Sequence, residues 1–444
     1  MQVAKLKTRF VYLQIFVLIL VCRNAPAASL NDALALSYQT SPELQSAIQS
    51  LKLVDEEMPL AISGILPTAS YDVQRGQERT TSGATEENSK DDYRSIGVTQ
   101  PLFNGGNTYA SIKKANNKIM AARENFRIAE QNVLLSAVTA YMDMVRDNDV
   151  YKLAENNQEV LKKHLDAVQA RFTMGETTQT DVAQAKANLA QSVSELIGAK
   201  RNLESSRATY IKIIGQEPQN VVMPDNPITI NGSVEELIQI ALANNPYIKA
   251  ADYGWEAAKN DIAIQKSALL PSVSAFINKT TYSTTSSSTS DTIGANISVP
   301  LYQSGSEYVK IRQAKIAAGK ASLDIAVVRN QVSEEVIKAY HEYEVATSLI
   351  ESNKSSVESF TLALEGVRQE SLAGLRTTID LLDAQHDVIE AKSKLISSSR
   401  DEIVSSYSLL SKLGKLNIAE LGLKVDAYNP NKNTNRVKYQ MVGF

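Results

Sequence analysis

At 444 residues the chain has room for two average domains or one elongated body. With 43% apolar and 21% charged residues it has the composition of a folded protein, which excludes global disorder. A formal net charge of −3 argues against a nucleic-acid partner, because phosphate binding needs a basic face. Proline and aromatic residues are scarce, a bias that suits helices more than sheets.

The first element is an export leader. Lys5, Lys7 and Arg9 form a basic stretch ahead of an apolar run from Phe10 to Val21. That run is too short to span a bilayer as a helix but has the length of a signal-peptide core. Ala25-Pro26-Ala27 supplies the small residues a signal peptidase reads, so residues 1–27 are expected to be removed. The single cysteine, Cys22, lies inside this leader; lipidation there is disfavoured by bulky Val21 just before it. The mature chain then has no cysteine, and disulfides and thiol chemistry are excluded. No other segment is a long unbroken apolar run, so a membrane role has to come from β-strands or from nothing.

The remainder is two copies of one unit. Ser29, Pro42, Ala47, Leu66 and Pro67 recur as Ser233, Pro246, Ala251, Leu270 and Pro271, at an offset of 204. Beyond these the offset becomes 199 and holds without a gap. Pro101, Leu102 and Gly106 match Pro300, Leu301 and Gly305, and Ala140-Tyr141 match Ala339-Tyr340. Gly175, Thr178, Asp181, Ala185 and Gly215 match Gly374, Thr377, Asp380, Ala384 and Gly414. The expected division is 28–215 and 233–414, with a Pro-containing linker over 216–232 and a C-terminal tail over 415–444.

Each copy opens with a helical stretch and turns to strand at Leu-Pro. In the first, Pro59 should kink the helix where the second has Ala263. Hairpins are expected over 67–103 and 271–302, where the period becomes alternating. Val273, Ala275 and Ile277 alternate with Ser272 and Ser274; Ile293, Ala295, Ile297, Val299 and Leu301 alternate with small polar residues. The first copy does likewise with Ala69, Tyr71 and Val73, then Ile96 and Val98. One apolar face opposite a small polar face is the pattern of a lipid-facing barrel around a wet lumen. The stretches Thr80 to Asp92 and Thr284 to Ser290 read as polar loops. Two hairpins make only four strands, too few to close a bacterial barrel, so several copies must share one.

A long helix follows each hairpin, over 106–172 and 305–372. From Asn107 to Met174 there is neither proline nor glycine, so nothing interrupts it. At 1.5 Å per residue such a helix is roughly 100 Å long, far beyond the needs of a globular core. Ala137, Ala140, Met144, Tyr151, Ala154, Leu161, Leu165, Val168 and Phe172 follow the spacing of coiled-coil packing, interrupted at Asp147 and Gln158. Gly175 and Gly374 end the two helices in tip turns. Thr177 to Thr180 offer capping hydroxyls to return helices expected over 177–213 and 377–413.

Taken together, these residues make the chain resemble the TolC family of outer-membrane efflux proteins. The carriers are Ser41-Pro42 and Asn245-Pro246, Leu66-Pro67 and Leu270-Pro271, and the hairpin exits Gln100-Pro101-Leu102-Phe103 and Val299-Pro300-Leu301-Tyr302. To these are added the turn Arg171-Phe172-Thr173-Met174-Gly175 and Thr180-Asp181-Val182. The resemblance implies a mainly α chain with membrane β, three copies of which form a twelve-strand barrel continuous with a twelve-helix tunnel. It implies an outer-membrane duct that extends into the periplasm and serves efflux or type I secretion. A homotrimer, a periplasmic adaptor and an inner-membrane pump of RND, ABC or MFS type are the implied partners, with no cofactor.

The family also implies a periplasmic gate. Asp380 and Asp383 match an acidic pair that rings the closed aperture, where like charges would raise one another's pKa values. A competing role for Asp380 is helix capping, since Asp181 occupies the same place in the first repeat; Asp383 matches Gln184, so capping does not explain it. Arg376 matches an arginine that ties the closed tip to the neighbouring turn at Thr180 and Asp181. Ser371 stands where the family has a contact tyrosine. His164, His341 and His386 have no ligand spacing, and no catalytic triad or phosphate loop is present. The competing reading, a periplasmic coiled-coil scaffold or adaptor, is opposed by the amphipathic hairpins. From Asn429 the chain reads as a mobile tail. N-terminal sequencing of the exported protein should begin at Ala28; a lipid-modified Cys22 terminus would refute this reading of the leader.

Overall fold

The computed structural model describes residues 29–82, 85–224, 228–283 and 287–440, so the leader lies outside them. In chain order the elements are α1 (Leu30–Thr40), α2 (Pro42–Asp55), α3 (Glu57–Ser63), β1 (Thr68–Ser82), β2 (Thr85–Asn104), α4 (Asn107–Thr173) and α5 (Gln179–Ile214). The second copy repeats them as α6 (Val234–Asn244), α7 (Pro246–Ser267), β3 (Ser272–Ser283), β4 (Ser287–Ser298), α8 (Ser306–Leu372) and α9 (Thr378–Lys412), and α10 (Pro430–Val437) follows.

Helices α4 and α8 each run 67 residues, or about 100 Å. Left-handed Gly106 and Gly305 open them. Ser29, Ser41 and Asn245 cap α1, α2 and α7, and Ser233 with Glu236 makes a capping box at α6. Asp147, which breaks the apolar seam of α4, is buried and accepts a hydrogen bond from the Ser206 hydroxyl on α5. The return helices begin one or two residues later than expected, because Thr178 and Thr377 stand outside them as caps.

The four strands form one antiparallel sheet in the order β1-β2-β3-β4. Its register aligns Ala69, Tyr71 and Val73 with Val98, Ile96 and Arg94, and carries the same face through Val273, Ala275 and Ile277 to Ile297, Ala295 and Ile293. Tyr71, Val73, Ile96, Ile277, Ile293 and Ile297 are all exposed on that face. On the other face Phe276 lies across Gly294, where a Cβ would come within 2.9 Å of the ring. Pro101 is accommodated by a register shift before Phe103, since proline cannot donate to a central ladder.

The first hairpin differs from the expected loop over 80–92. Its ladder continues without a gap to Ser82↔Thr85. Likewise β4 starts at Ser287, inside the loop expected over 284–290. Polar residues end the apolar alternation but not the backbone pairing, which needs only N–H and C=O groups. At the exit the second hairpin ends earlier than expected, at Ser298, whereas β2 extends to Asn104.

Around the sheet-proximal half the helices follow the strand order: α3 packs on α4, α4 on α7, and α7 on α8. In the distal half α5 packs on α4, α4 on α9, and α9 on α8. Between the halves sits the main core, where Leu34, Leu134, Val138, Tyr141, Tyr210 and Ile214 are fully buried. The Tyr141 hydroxyl donates to the Val222 carbonyl at 2.9 Å and pins the linker to this core. No helix among the described residues is long and apolar enough to cross a membrane.

Pro59 has the expected consequence. Helix α2 stops at Asp55, four residues before it, while the equivalent α7 is continuous. The proline has no N–H for the Asp55 carbonyl and its ring crowds that group. The tail, in contrast, is packed. Leu416, Ile418 and Leu423 enter the main core, and α10 docks on α2 and α3. Fully buried Asp55 accepts from Asn433 Nδ2 and Thr434 Oγ1, both at 2.7 Å. Composition suggested mobility, but these two bonds give the polar tail a buried acceptor. Asp55→Ala should cost about 1–3 kcal/mol by stranding the Asn433 amide, the Thr434 hydroxyl keeping the Pro430 carbonyl, with amide exchange of 430–437 accelerated in mass spectrometry.

Candidate functional site

The ends of the helical hairpins are built alike. At the first, Gly175 takes φ 79° and its N–H donates to the Phe172 carbonyl at 3.0 Å, while Glu176 N–H reaches Arg171 O at 2.9 Å. At the second, Gly374 takes φ 77°, with Gly374 N–H to Ser371 O at 3.1 Å and Leu375 N–H to Glu370 O at 2.9 Å. This paired arrangement satisfies the last carbonyls of each long helix, and the left-handed residue between them favours glycine. The tip glycines are thus where the sequence placed them.

Each return helix opens with the same capping box. Thr178 donates its N–H and hydroxyl to Asp181 Oδ2 at 2.9 and 2.8 Å, and accepts from Asp181 N–H at 3.2 Å. Thr377 and Asp380 repeat these three distances. The Thr377 N–H and hydroxyl hold the Asp380 carboxyl below its usual range, with the Arg376 charge adding to the effect; Thr178 does the same for Asp181, helped by Arg171. Within one protomer, therefore, Asp380 is shifted down, opposite to the direction expected of a like-charge ring. Thr180 is exposed and is not the cap.

Asp383 is placed differently. It is exposed and makes no hydrogen bond or ion pair to any described residue. It lines a cleft of about 240 Å³ between α5 and α9, opposite Gln184, Asn188 and Glu195. The two carboxylates that share a helix face in sequence thus divide their tasks: one closes a cap and the other is left free.

Arg376 does not reach Thr180 or Asp181 within a protomer. Its Nε donates to Glu370 Oε2 at 2.8 Å, both side chains being about half exposed. At the other tip Arg171 and Glu176 approach to 3.5 Å. The two tips carry the same bridge with reversed polarity: the long helix ends in the cation in the first copy and in the anion in the second. The offset of 199 aligns Arg171 with Glu370, but Glu176 falls on Leu375 and Arg376 on Thr177, so only one half of the reversal is visible in the alignment. Met174, Leu372 and Leu375 stand exposed beside these pairs. Among the described residues no cluster of His, Cys, Asp and Glu could hold a metal ion.

The model of the family described as outer membrane efflux protein matches residues 33–216 and 237–415. The chain is similar to the outer membrane efflux protein BepC of Brucella suis, with 30% identity and coverage of 96% of this chain and 94% of BepC. It is also similar to the alkaline protease secretion protein AprF of Pseudomonas aeruginosa, 24% identical over 91% of this chain and 88% of that one. Among solved structures the Campylobacter jejuni CmeC outer membrane channel superposes with a TM-score of 0.78 at 15% identity, covering 93% of this chain and 90% of that one. The chain belongs to the outer membrane efflux protein family. It is an outer-membrane exit duct of the efflux and type I secretion class, of TolC-like fold, whose helices extend into the periplasm.

Asp380→Ala should fray the start of α9, because it removes the N3 half of the capping box, while Asp383→Ala should leave the amide protection of that turn unchanged. The two caps also predict a pH dependence. Because the folded-state carboxyls lie below their unfolded values, their stabilisation is complete above about pH 4 and is lost as pH falls through the depressed values. Amide protection at 178–182 and 377–381 should therefore drop on acidification, and in Asp380→Ala only the first site should respond.

Proposed function

We propose that this member of the outer membrane efflux protein family works as a homotrimer whose periplasmic tips form the gate of a passive duct. The single observation that carries the reading is the exposed apolar face running across a four-strand sheet with β1 and β4 at its unpaired edges. Open edges cannot remain in hydrocarbon, where no water replaces a missing backbone partner. Three copies supply twelve strands, within the range of bacterial barrels, and the helices emerge from them in the same cyclic order.

Cargo passes through the lumen without covalent chemistry, so the chain's own work is to close and open. In the closed state Asp383, and Asp380 beside it, face the axis from three protomers and concentrate cations at a narrow aperture. Arg376 exchanges Glu370 for the neighbouring tip at Thr180 and Asp181. That exchange is inexpensive because an exposed ion pair is worth about 0–1 kcal/mol. A periplasmic adaptor coupled to an inner-membrane pump of RND, ABC or MFS type shifts this balance by burying the apolar tip residues Met174, Leu372 and Leu375. The alternative of a periplasmic scaffold has no use for an apolar sheet face.

The mature protein should extract only with detergent, as a trimer, and conduct in a planar bilayer. Replacing both Asp380 and Asp383 by Ala should weaken block by multivalent cations added from the periplasmic side, with little change from the outer side. Arg376→Ser should raise conductance without adaptor. Unaltered cation block in the double variant would place the ring elsewhere, and a stable soluble monomer would overturn the shared barrel.

A further inference from the structure

The internal duplication allows one surface of the molecule to be read from another. Helix α9 packs against α4 in the distal half, whereas its counterpart α5 and the counterpart of α4, which is α8, lie at opposite edges of the protomer. The α9–α4 seam is joined by Arg400, whose Nε donates to Asp143 Oδ1 at 2.9 Å with only 19% of the arginine side chain exposed. An offset of 199 residues maps Arg400 onto Arg201 of α5 and Asp143 onto Glu342 of α8. Charge sign is preserved at both positions.

Neither mapped residue has the partner that its counterpart has. Arg201 is exposed and donates only to neighbouring Asn202, at 3.0 Å, as Arg400 also donates to neighbouring Asp401, at 2.8 Å. Glu342 is exposed and makes no hydrogen bond or ion pair to any described residue. On its own helix the nearby cation is Lys338, which is ion-paired with Glu334, and Val345 stands where Arg146 stands relative to Asp143.

Positions covered on α9 are open on α5. Ile403 and Tyr407 of α9 are buried, and the corresponding Glu204 and Ala208 of α5 are exposed. Ile396 is partly covered, but its counterpart Ile197 is 65% exposed. On α8, Val345 and Leu349 are 56% and 48% exposed, one turn and two turns towards the tip from Glu342. Since α5 and α8 run antiparallel, Ile197, one turn towards the tip from Arg201, comes level with them.

We propose that α5 of one protomer packs against α8 of the next as α9 packs against α4 within a protomer, with Arg201 bridged to Glu342 and Ile197 covered by Val345 and Leu349. The occupant of this exposed face is a second copy of the chain. The two edges are complementary to each other and not to themselves, which is the head-to-tail relation that closes a ring. The inference rests on the trimeric reading and adds to it the register and the residues of the distal seam.

Charge reversal tests it. Arg201→Glu and Glu342→Arg should each lower the ratio of trimer to monomer in detergent by about tenfold, the product of three exposed pairs each worth a factor of about two. The double reversal should restore that ratio towards wild type. In a Cys22→Ser background, Cys at 201 and 342 should be joined between protomers by a short bis-maleimide, giving covalent trimers. Wild-type trimers with neither rescue nor cross-linking would overturn this seam and leave the duct standing. A wild-type protein that never forms trimers would overturn both.

Discussion

The whole molecule answers to one constraint: backbone N–H and C=O groups within hydrocarbon must be paired, and four strands cannot pair them all. The sheet satisfies β2 and β3 internally and leaves β1 and β4 open. Everything beneath it inherits this incompleteness. Because the helices emerge from the strand ends in strand order, the protomer's helical edges are as unfinished as its sheet edges. Val309, Ile316 and Leu323 on α8 recur at heptad spacing and remain exposed, as a seam that requires another helix would.

What keeps such an open chain folded is the belt between the two halves. There the short helices α1 and α6, the linker and the C-terminal segment pack around the middle of the long helices, and the largest fully buried side chains gather. The break at Pro59 and the docking of α10 belong to the same belt. By ending α2 at Asp55, the proline frees a buried carboxylate region that the second copy does not have, and the tail fills it. Polar groups serve here because each has a partner, and an unpaired one would be costly.

Duplication separates what both helix ends share from what distinguishes the two tips. The Gly175 and Gly374 turns and the Thr178–Asp181 and Thr377–Asp380 boxes are the same in both copies, and both end helices. Around these shared positions the two tips differ in most of their side chains. Asp383 replaces a glutamine, and Glu370 and Arg376 reverse the polarity of the Arg171–Glu176 pair. In the proposed trimer six equivalent tips would make a ring with no alternation of charge, whereas two kinds of tip would place unlike neighbours side by side.

Much of this was legible in the sequence because it is decided locally. Glycine at positive φ and proline without an N–H mark helix ends whatever surrounds them, so α4 and α8 were bounded to within a residue or two. Alternation of side chains fixed which face of each strand is apolar, since the pleat has a period of two. The tertiary structure decided what depends on partners remote in the chain. Asn429–Val437 is too polar to be read as part of a core, and it is held by groups remote in the chain: the acceptor at Asp55, 378 residues before Asn433, and Arg123, which donates to Thr434. Residues 80–92 look like loop because alternation stops, yet the opposite strand offers an equal length of backbone to pair with. The repeat marks Asp380, which matches Asp181, as the capping candidate and gives Asp383, which matches Gln184, no such role; the sequence does not supply the geometry of the bond. A capping bond is a matter of direction as well as spacing, and direction exists only once the turn at Gly374 has brought Thr377 round to face Asp380.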